Sequence, residues 1–334
     1  MTSLRTLAFQ PSATPIRSQR SSRRLRFCLI AVLAGAGTSL PQELPPTRPC
    51  FRPTVDRWLA VTVAAASADE IGAPDSPAAA PTLEPAEPVW PPDPVRDGSA
   101  LDLSPEIKTA TDLATGGKWI EARNHLSDLY WTYVLSSEKK SSLRQKLEEL
   151  NRVIIFSAKP TQDTDRYTVQ PGDTLALIAG QFKVPWELLA KINGISDPRY
   201  LRAAARLKVL QGPFDVLIDV SDFELTVLQQ GKFIAHYRIG VGKNDSTPLG
   251  QFKVQEKLVN PTYYGPEGVI APDDPQNPLA ERWIGFGNGY GIHGTIEPES
   301  IGTEASRGCI RLLNKDVEEL YDLLVPGSRV LIRR

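Results

Sequence analysis

The sequence predicts a multidomain α+β chain, and three observations carry that prediction. Apolar residues recur at helical spacing between residues 104 and 160. A strand, two short helices and a second strand follow in that order over residues 166–211. Short alternating runs separated by turn residues then dominate residues 213–334, which makes the last part mainly β. At 334 residues there is room for two or three modest domains. A formal net charge of −1 gives no reason to expect nucleic acid as a partner.

The first 57 residues are rich in arginine, with only Glu43 and Asp56 as acids. Apolar runs at residues 27–34 and 58–65 each follow arginines, and the second ends in Ala66-Ser67-Ala68 before Asp69-Glu70. Both have the size of a secretory apolar region and are short for a stable spanning helix. Residues 1–68 are therefore expected to be a disordered export region cleaved near Ala68, which places the protein in the periplasm or cell envelope. An anchor at the first run and a mis-assigned start codon are the alternatives. Cleavage removes Cys28 and Cys50, so Cys309 is left with no disulfide partner in an oxidising compartment. A leftover cysteine of that kind points to a reactive thiol.

Residues 69–103 read as a linker, since eight prolines fall within residues 69–98 beside few bulky apolar side chains. Residues 104–160 read as a helical spacer or protein-docking unit. One stripe runs through Ala122, Leu126, Leu129 and Tyr133, another through Leu143, Leu147, Leu150 and Ile154, and Gly116-Gly117 breaks the first pair of helices. Gly117-Lys118-Trp119-x-Glu121-Ala122 resembles one tetratricopeptide-type hairpin, with no second copy. His125 on this segment is expected to be an ordinary packed or surface residue.

In residues 166–211, Tyr167-Thr168-Val169 is a strand, Pro171-Gly172-Asp173 a turn, and Asp173 or Thr174 a helix cap. Pro185 opens a second helix, Asn193-Gly194 ends it, and residues 207–210 close the unit as a strand. Tyr167-x-Val169-x-x-Gly172-Asp173-x-Leu175 and the later Asn193 resemble a LysM module across the whole unit. That resemblance implies binding of N-acetylglucosamine-containing glycan strands through Gly172, Asp173, Thr174 and the segment at Asn193.

In residues 213–334, Phe214, Val216, Ile218 and Val220 mark a strand, and Gln230-Gly231 turns a hairpin into a strand carrying His236. Asn314 is expected to cap a helix with Val317, Leu320, Tyr321 and Leu324 on one side; residues 330–332 form the last strand. Chemistry concentrates at two places. Cys309 sits in Ser306-Arg307-Gly308-Cys309-Ile310-Arg311, and sixteen residues earlier lies Ile292-His293-Gly294-Thr295. A free thiol is mostly protonated at neutral pH, so a nucleophilic cysteine needs a base, and His293 is the available one. The flanking glycines let backbone approach a substrate carbonyl. No cluster has metal-ligand spacing, and Gly285-Phe286-Gly287-Asn288-Gly289 reads as turns rather than a nucleotide cradle, so no metal or cofactor is expected.

These runs resemble the L,D-transpeptidase catalytic domain of YkuD type. The match rests on Thr247-Pro248-x-Gly250-x-Phe252, Asn277-Pro278-Leu279, Arg282-Trp283-Ile284, Gly291-Ile292-His293-Gly294-Thr295 and Ser306-x-Gly308-Cys309-Ile310-Arg311, in that order. Ala280 departs from the pattern, where glycine often follows the Asn-Pro-Leu run, and residues 262–276 are individual. The resemblance implies a cysteine acyltransferase. Cys309 attacks a stem-peptide carbonyl, D-alanine leaves, and the amine of a second peptidoglycan stem attacks the thioester. It further implies that His293 is the acid–base group, that the Ser306 region orients His293 through a backbone carbonyl, and that N–H groups around Gly308 and Cys309 form the oxyanion hole. Gly294, Thr295 and Arg311 are candidates for substrate contact, with loop support as the other role for Thr295 and Arg311. An L,D-carboxypeptidase, protein-to-peptidoglycan attachment by the same thiol, and a non-catalytic peptidoglycan-binding protein are the rival functions. A papain-like protease is disfavoured because its cysteine normally precedes its histidine.

Overall fold

The computed structural model describes residues 90–162, 166–266 and 268–334. The expected export region and the first part of the linker, up to residue 89, lie outside the described residues. Among the described residues no helix is long and apolar enough to cross a membrane.

The N-terminal part is a short strand β1 (Arg96–Asp97), helices α1 (Ser104–Thr115) and α2 (Trp119–Thr132), a strand β2 (Tyr133–Val134) parallel to β1, and α3 (Ser137–Ile154). Gly117 at φ +85° separates α1 from α2, and the Ser136 hydroxyl caps α3. The α3 stripe Leu143, Leu147, Leu150 and Ile154 is buried as its spacing requires. The α2 stripe is different from the one expected. Ala122, Leu126 and Tyr130 are its buried apolar side chains, because α2 ends at Thr132 and Tyr133 enters β2. Residues 90–103 are docked rather than free. Lys139 Nζ donates to the Gly98 and Ser99 carbonyls at 3.1 and 2.6 Å, and Leu103 is buried. The prolines stop at Pro94, and Leu101 and Leu103 supply the apolar contacts that the preceding run lacks.

The next part is β3 (Arg166–Thr168), α4 (Leu175–Phe182), α5 (Trp186–Ile192) and β4 (Arg206–Lys208), with β3 and β4 antiparallel and Tyr167 opposite Leu207. Leu175, Ile178, Leu188, Leu189 and Ile192 close a small core between helices and hairpin.

The last part begins with β5 (Asp215–Asp219), β6 (Glu224–Gln229) and β7 (Lys232–Arg238), then β8 (Val241–Gly242) and β9 (Gly250–Lys253). After β10 (Glu256–Val259), a hairpin of β11 (Tyr263–Gly265) and β12 (Gly268–Ile270) leads to β13 (Arg282–Gly287) and β14 (Tyr290–His293). The chain ends with β15 (Glu304–Ser306), β16 (Ile310–Arg311), α6 (Asn314–Leu323) and β17 (Arg329–Arg333). A five-stranded sheet has the order β7-β6-β5-β17-β9, and a four-stranded sheet the order β10-β13-β14-β16. Asn314 is the first residue of α6 rather than its cap; its side chain is drawn instead to the Thr295 N–H.

Helices α2 and α3 cover β7, the open edge of the five-stranded sheet. Asn151 Nδ2 donates to the carbonyls of Phe233 and Ile234 at 2.9 and 3.0 Å, and the Phe233 N–H donates to Ser127 Oγ at 2.9 Å. An uncovered edge is a template for pairing with another chain, so these side chains act as a lid on it. The segment expected as a spacer is therefore packed into the structure.

Candidate active site

Strand register places the chemistry. Trp283 stands opposite His293 across β13 and β14, and His293 stands beside Arg311 across β14 and β16. Partners in register share one face of a sheet. One step along, Gly291 lies beside Cys309, just before β16, where its N–H favours the ionised thiol. Cys309 and His293 thus sit on one face, two residues apart along neighbouring strands. The thiol is half-buried, and its Sγ lies 3.8 Å from the Gly289 carbonyl.

His293 is buried, with the Trp283 indole stacked on its ring at 5.8 Å between centroids and 23° between planes. Its Nδ1 lies 2.6 Å from the Gly294 carbonyl. A carbonyl only accepts, so Nδ1 carries the proton and Nε2 is the basic nitrogen. Burial pushes the His293 pKa down to about 4, the Gly294 carbonyl opposing and the Arg311 charge reinforcing it. Burial also pushes the Cys309 thiol up, against the Gly291 N–H and Arg311. Both groups are neutral at pH 7.

The carbonyl that meets His293 Nδ1 is therefore that of Gly294, and Ser306 does not supply it. The Ser306 hydroxyl accepts from the Gly308 N–H at 3.0 Å and donates to the Cys309 carbonyl at 2.6 Å, closing the turn around the cysteine. A short side chain two or three residues away reaches its own turn more readily than a distant ring. The same bond engages the Gly308 N–H, so that group is not a free oxyanion donor. Gly308 has φ +121°, and a Cβ there would collide with the Tyr290 ring, so only glycine fits.

The residues expected at the substrate also make contacts that brace the loop. Thr295 N–H donates to Asn314 Oδ1 at 2.8 Å, while Thr295 Oγ1 accepts from the Glu297 N–H at 3.0 Å. A Cβ on Gly294 would collide with Asn314 Oδ1, so this glycine admits the Asn314 side chain. Arg311 is paired with Glu297 at 2.6 Å. In the glycan-binding candidates, Asp173 Oδ2 accepts from Tyr167 Oη and the Gln170 N–H at 2.8 and 2.7 Å, and Thr174 caps α4. Asn193 donates from Nδ2 to the Leu189 and Lys208 carbonyls, and its Oδ1 accepts from the Lys208 N–H. All of its amide atoms face inward, which ties α5 to β4 and takes Asn193 out of the set aimed at a ligand. Gly172, at φ +89°, lies exposed at the turn.

Trp283, Tyr290, Asn314 and Glu297 carry no motif that would single out their roles in the sequence, because each acts through a contact distant along the chain. Trp283 is held by donating from Nε1 to Glu256 Oε1 at 3.1 Å. Its indole lies over Gly285 and Gly291, where a side chain on either glycine would displace it.

Comparison with known proteins finds a family for each of the last two parts. A family model described as the YkuD L,D-transpeptidase catalytic domain matches residues 213–332, and one described as the LysM domain matches residues 167–209. YqjB of Bacillus subtilis is 42% identical over 130 residues, covering 37% of this chain and 73% of the relative. YkuD of Bacillus licheniformis is 32% identical over 176 residues, covering 50% of this chain and 97% of the relative. Both bear the name L,D-transpeptidase. A crystal structure of an L,D-transpeptidase from Mycobacterium tuberculosis aligns at 16% identity and a TM-score of 0.33, covering 40% of this chain and 63% of that one. With a thiol and a buried histidine on one sheet face, and with a relative 32% identical matched over 97% of its length, the chain belongs to the L,D-transpeptidase family and carries a LysM domain ahead of its catalytic domain.

Proposed function

We propose that this protein is a cysteine acyltransferase that cross-links stem peptides in peptidoglycan, working in the cell envelope with its LysM module on the glycan strands. The observation that carries the reading is the placement of Cys309 beside Gly291 and of His293 on the same sheet face, with Nε2 as the unprotonated ring nitrogen. His293 Nε2 takes the thiol proton as Sγ adds to the acyl carbonyl. The same proton goes to the departing amine of the terminal D-alanine. In the second half, His293 removes a proton from the acceptor amine, which attacks the thioester and releases the thiol. The Cys309 N–H supports the oxyanion, since among the described residues it has no acceptor.

The test uses the full chain and a Cys309→Ala variant with disaccharide-tetrapeptide stems, followed by mass spectrometry. A cross-linked dimer lacking one D-alanine, absent with the variant, is the expected product. Tripeptide alone would reassign the activity to L,D-carboxypeptidation. No conversion together with no thioester would favour a peptidoglycan-binding role.

A further inference from the structure

Thr247 lies far from the cysteine in sequence, yet it holds the cysteine turn. Its side chain is buried, and Oγ1 accepts from the Gly242 N–H at 2.8 Å. The single hydroxyl proton is then free to be donated, and it goes to the Gly308 carbonyl at 3.2 Å. Gly242 is paired with Ser306 across β8 and β15, and a Cβ on Gly242 would overlap Gly308, so the two backbones touch. Around the turn, Ser306 Oγ takes the Gly308 N–H and the Cys309 carbonyl, and Thr247 takes the Gly308 carbonyl.

The Gly308–Cys309 peptide is planar and trans, so its C=O and N–H point in opposite directions. Fixing the carbonyl fixes the amide. We propose that Thr247 is a positioning residue for acyl transfer: by holding the Gly308 carbonyl inward it aims the Cys309 N–H at the oxygen that gains charge when the thiol adds to substrate. This rests on the reading of Cys309 as the nucleophile. In the step concerned, the Sγ–C bond forms, the carbonyl π pair moves onto oxygen, and the thiol proton passes to His293 Nε2. Collapse returns that pair, breaks the C–N bond and releases the amine with the proton. Thr247 touches none of the reacting atoms.

The test compares the full chain with Thr247→Val, Thr247→Ala and Thr247→Ser. One readout is the rate of Cys309 acylation by a carbapenem, which develops an oxyanion; the other is alkylation by iodoacetamide over a range of pH, which does not. Valine and alanine are expected to slow acylation by about 10²-fold, the scale of one lost oxyanion donor, with serine within about threefold of the parent. The alkylation profile should stay in place for all four chains. Equal slowing of both reactions would show that the thiol itself has moved and would overturn the proposal, as would undiminished acylation in the valine and alanine variants. A parent chain that is alkylated at Cys309 but acylated by neither carbapenem nor tetrapeptide stem would bring down the acyl-transfer reading and this inference with it. The two failures are therefore distinguishable.

Discussion

At His293, burial outweighs the Gly294 carbonyl and brings the pKa down to about 4, while burial raises that of the Cys309 thiol. A resting thiolate–imidazolium pair would need the opposite shifts. Substrate thus meets a neutral thiol and a neutral base, and the proton moves during attack. Iodoacetamide alkylation of Cys309 should climb about tenfold per pH unit between pH 6 and 8, with no plateau, since only the thiolate reacts. Carbapenem acylation should hold level over that range and fall only on the acid side of about pH 5, as protonation of His293 removes the base. An alkylation plateau beginning near pH 5 would mean a preformed ion pair. Replacing His293 by alanine should cut acylation by roughly 10²–10⁴-fold, measured as the rate of adduct formation by mass spectrometry.

Among the elements, the approach to β13 contains a strained position that was visible in the sequence as a departure from the family pattern. Ala280 takes φ +53°, which explains why glycine often stands there. Its Cβ would lie 3.0 Å from a Cβ on Gly294, so two glycine-favouring positions meet behind the histidine. Ala280→Gly relieves a left-handed penalty of about 1–2 kcal/mol and adds unfolded-state entropy worth about 0.5–1 kcal/mol. The net expectation is up to about 1.5 kcal/mol of added stability, a rise of a few degrees in Tm by calorimetry. A lower Tm would mean that the packing of the alanine methyl outweighs the strain. The elements themselves were largely legible. The α3 stripe, the order of the LysM unit and the Gln230-Gly231 hairpin each repeat or punctuate at short range, and positive φ at both turn residues bears out the last of these. Legibility ended where a side chain chose between a near and a far partner. Ser306 closes its own turn, Asn314 sits inside the helix and bonds to Thr295 instead of capping, and Trp283 covers His293 only because β13 and β14 pair in that register. No periodicity encodes such choices.

Across the described molecule, the helical, LysM and catalytic parts are joined by buried polar contacts. Lys208 in β4 is buried and donates to the carbonyls of Val153, Ile154 and Ser157 at 3.2, 2.7 and 2.8 Å, placing a cation at the C-terminal end of α3. Asn151 and Ser127 join the helices to β7, and Glu224 in β6 accepts from Lys140 and Arg144 of α3, each at 2.9 Å. Burial opposes ionisation of Glu224, but the His236 ring nitrogen 3.4 Å away, the bond from Lys140 and the Arg144 charge win and hold its pKa well below the usual carboxylate range. Its contribution is present above the unfolded value of about 4.3 and is lost as pH falls below it. The LysM part is thus held at a fixed place against the rest of the described molecule instead of swinging on a tether, so under the proposed function its effect on local substrate concentration would depend on orientation as well as on reach. Such joints predict one cooperative unfolding transition for all three parts. Asn151→Ala leaves two β7 carbonyls unpaired, a loss of about 1–3 kcal/mol, and Lys208→Met removes the charge at the α3 terminus. Each should move the whole urea transition, followed in parallel by far-ultraviolet circular dichroism and tryptophan fluorescence. If the probes separate, or if Lys208→Met shifts only one of them, the parts fold independently and the joints are incidental. Residues 213–334 expressed alone would present β7 uncovered, and should self-associate in analytical ultracentrifugation where the full chain with its helices does not, because the edge then pairs with whatever strand it meets.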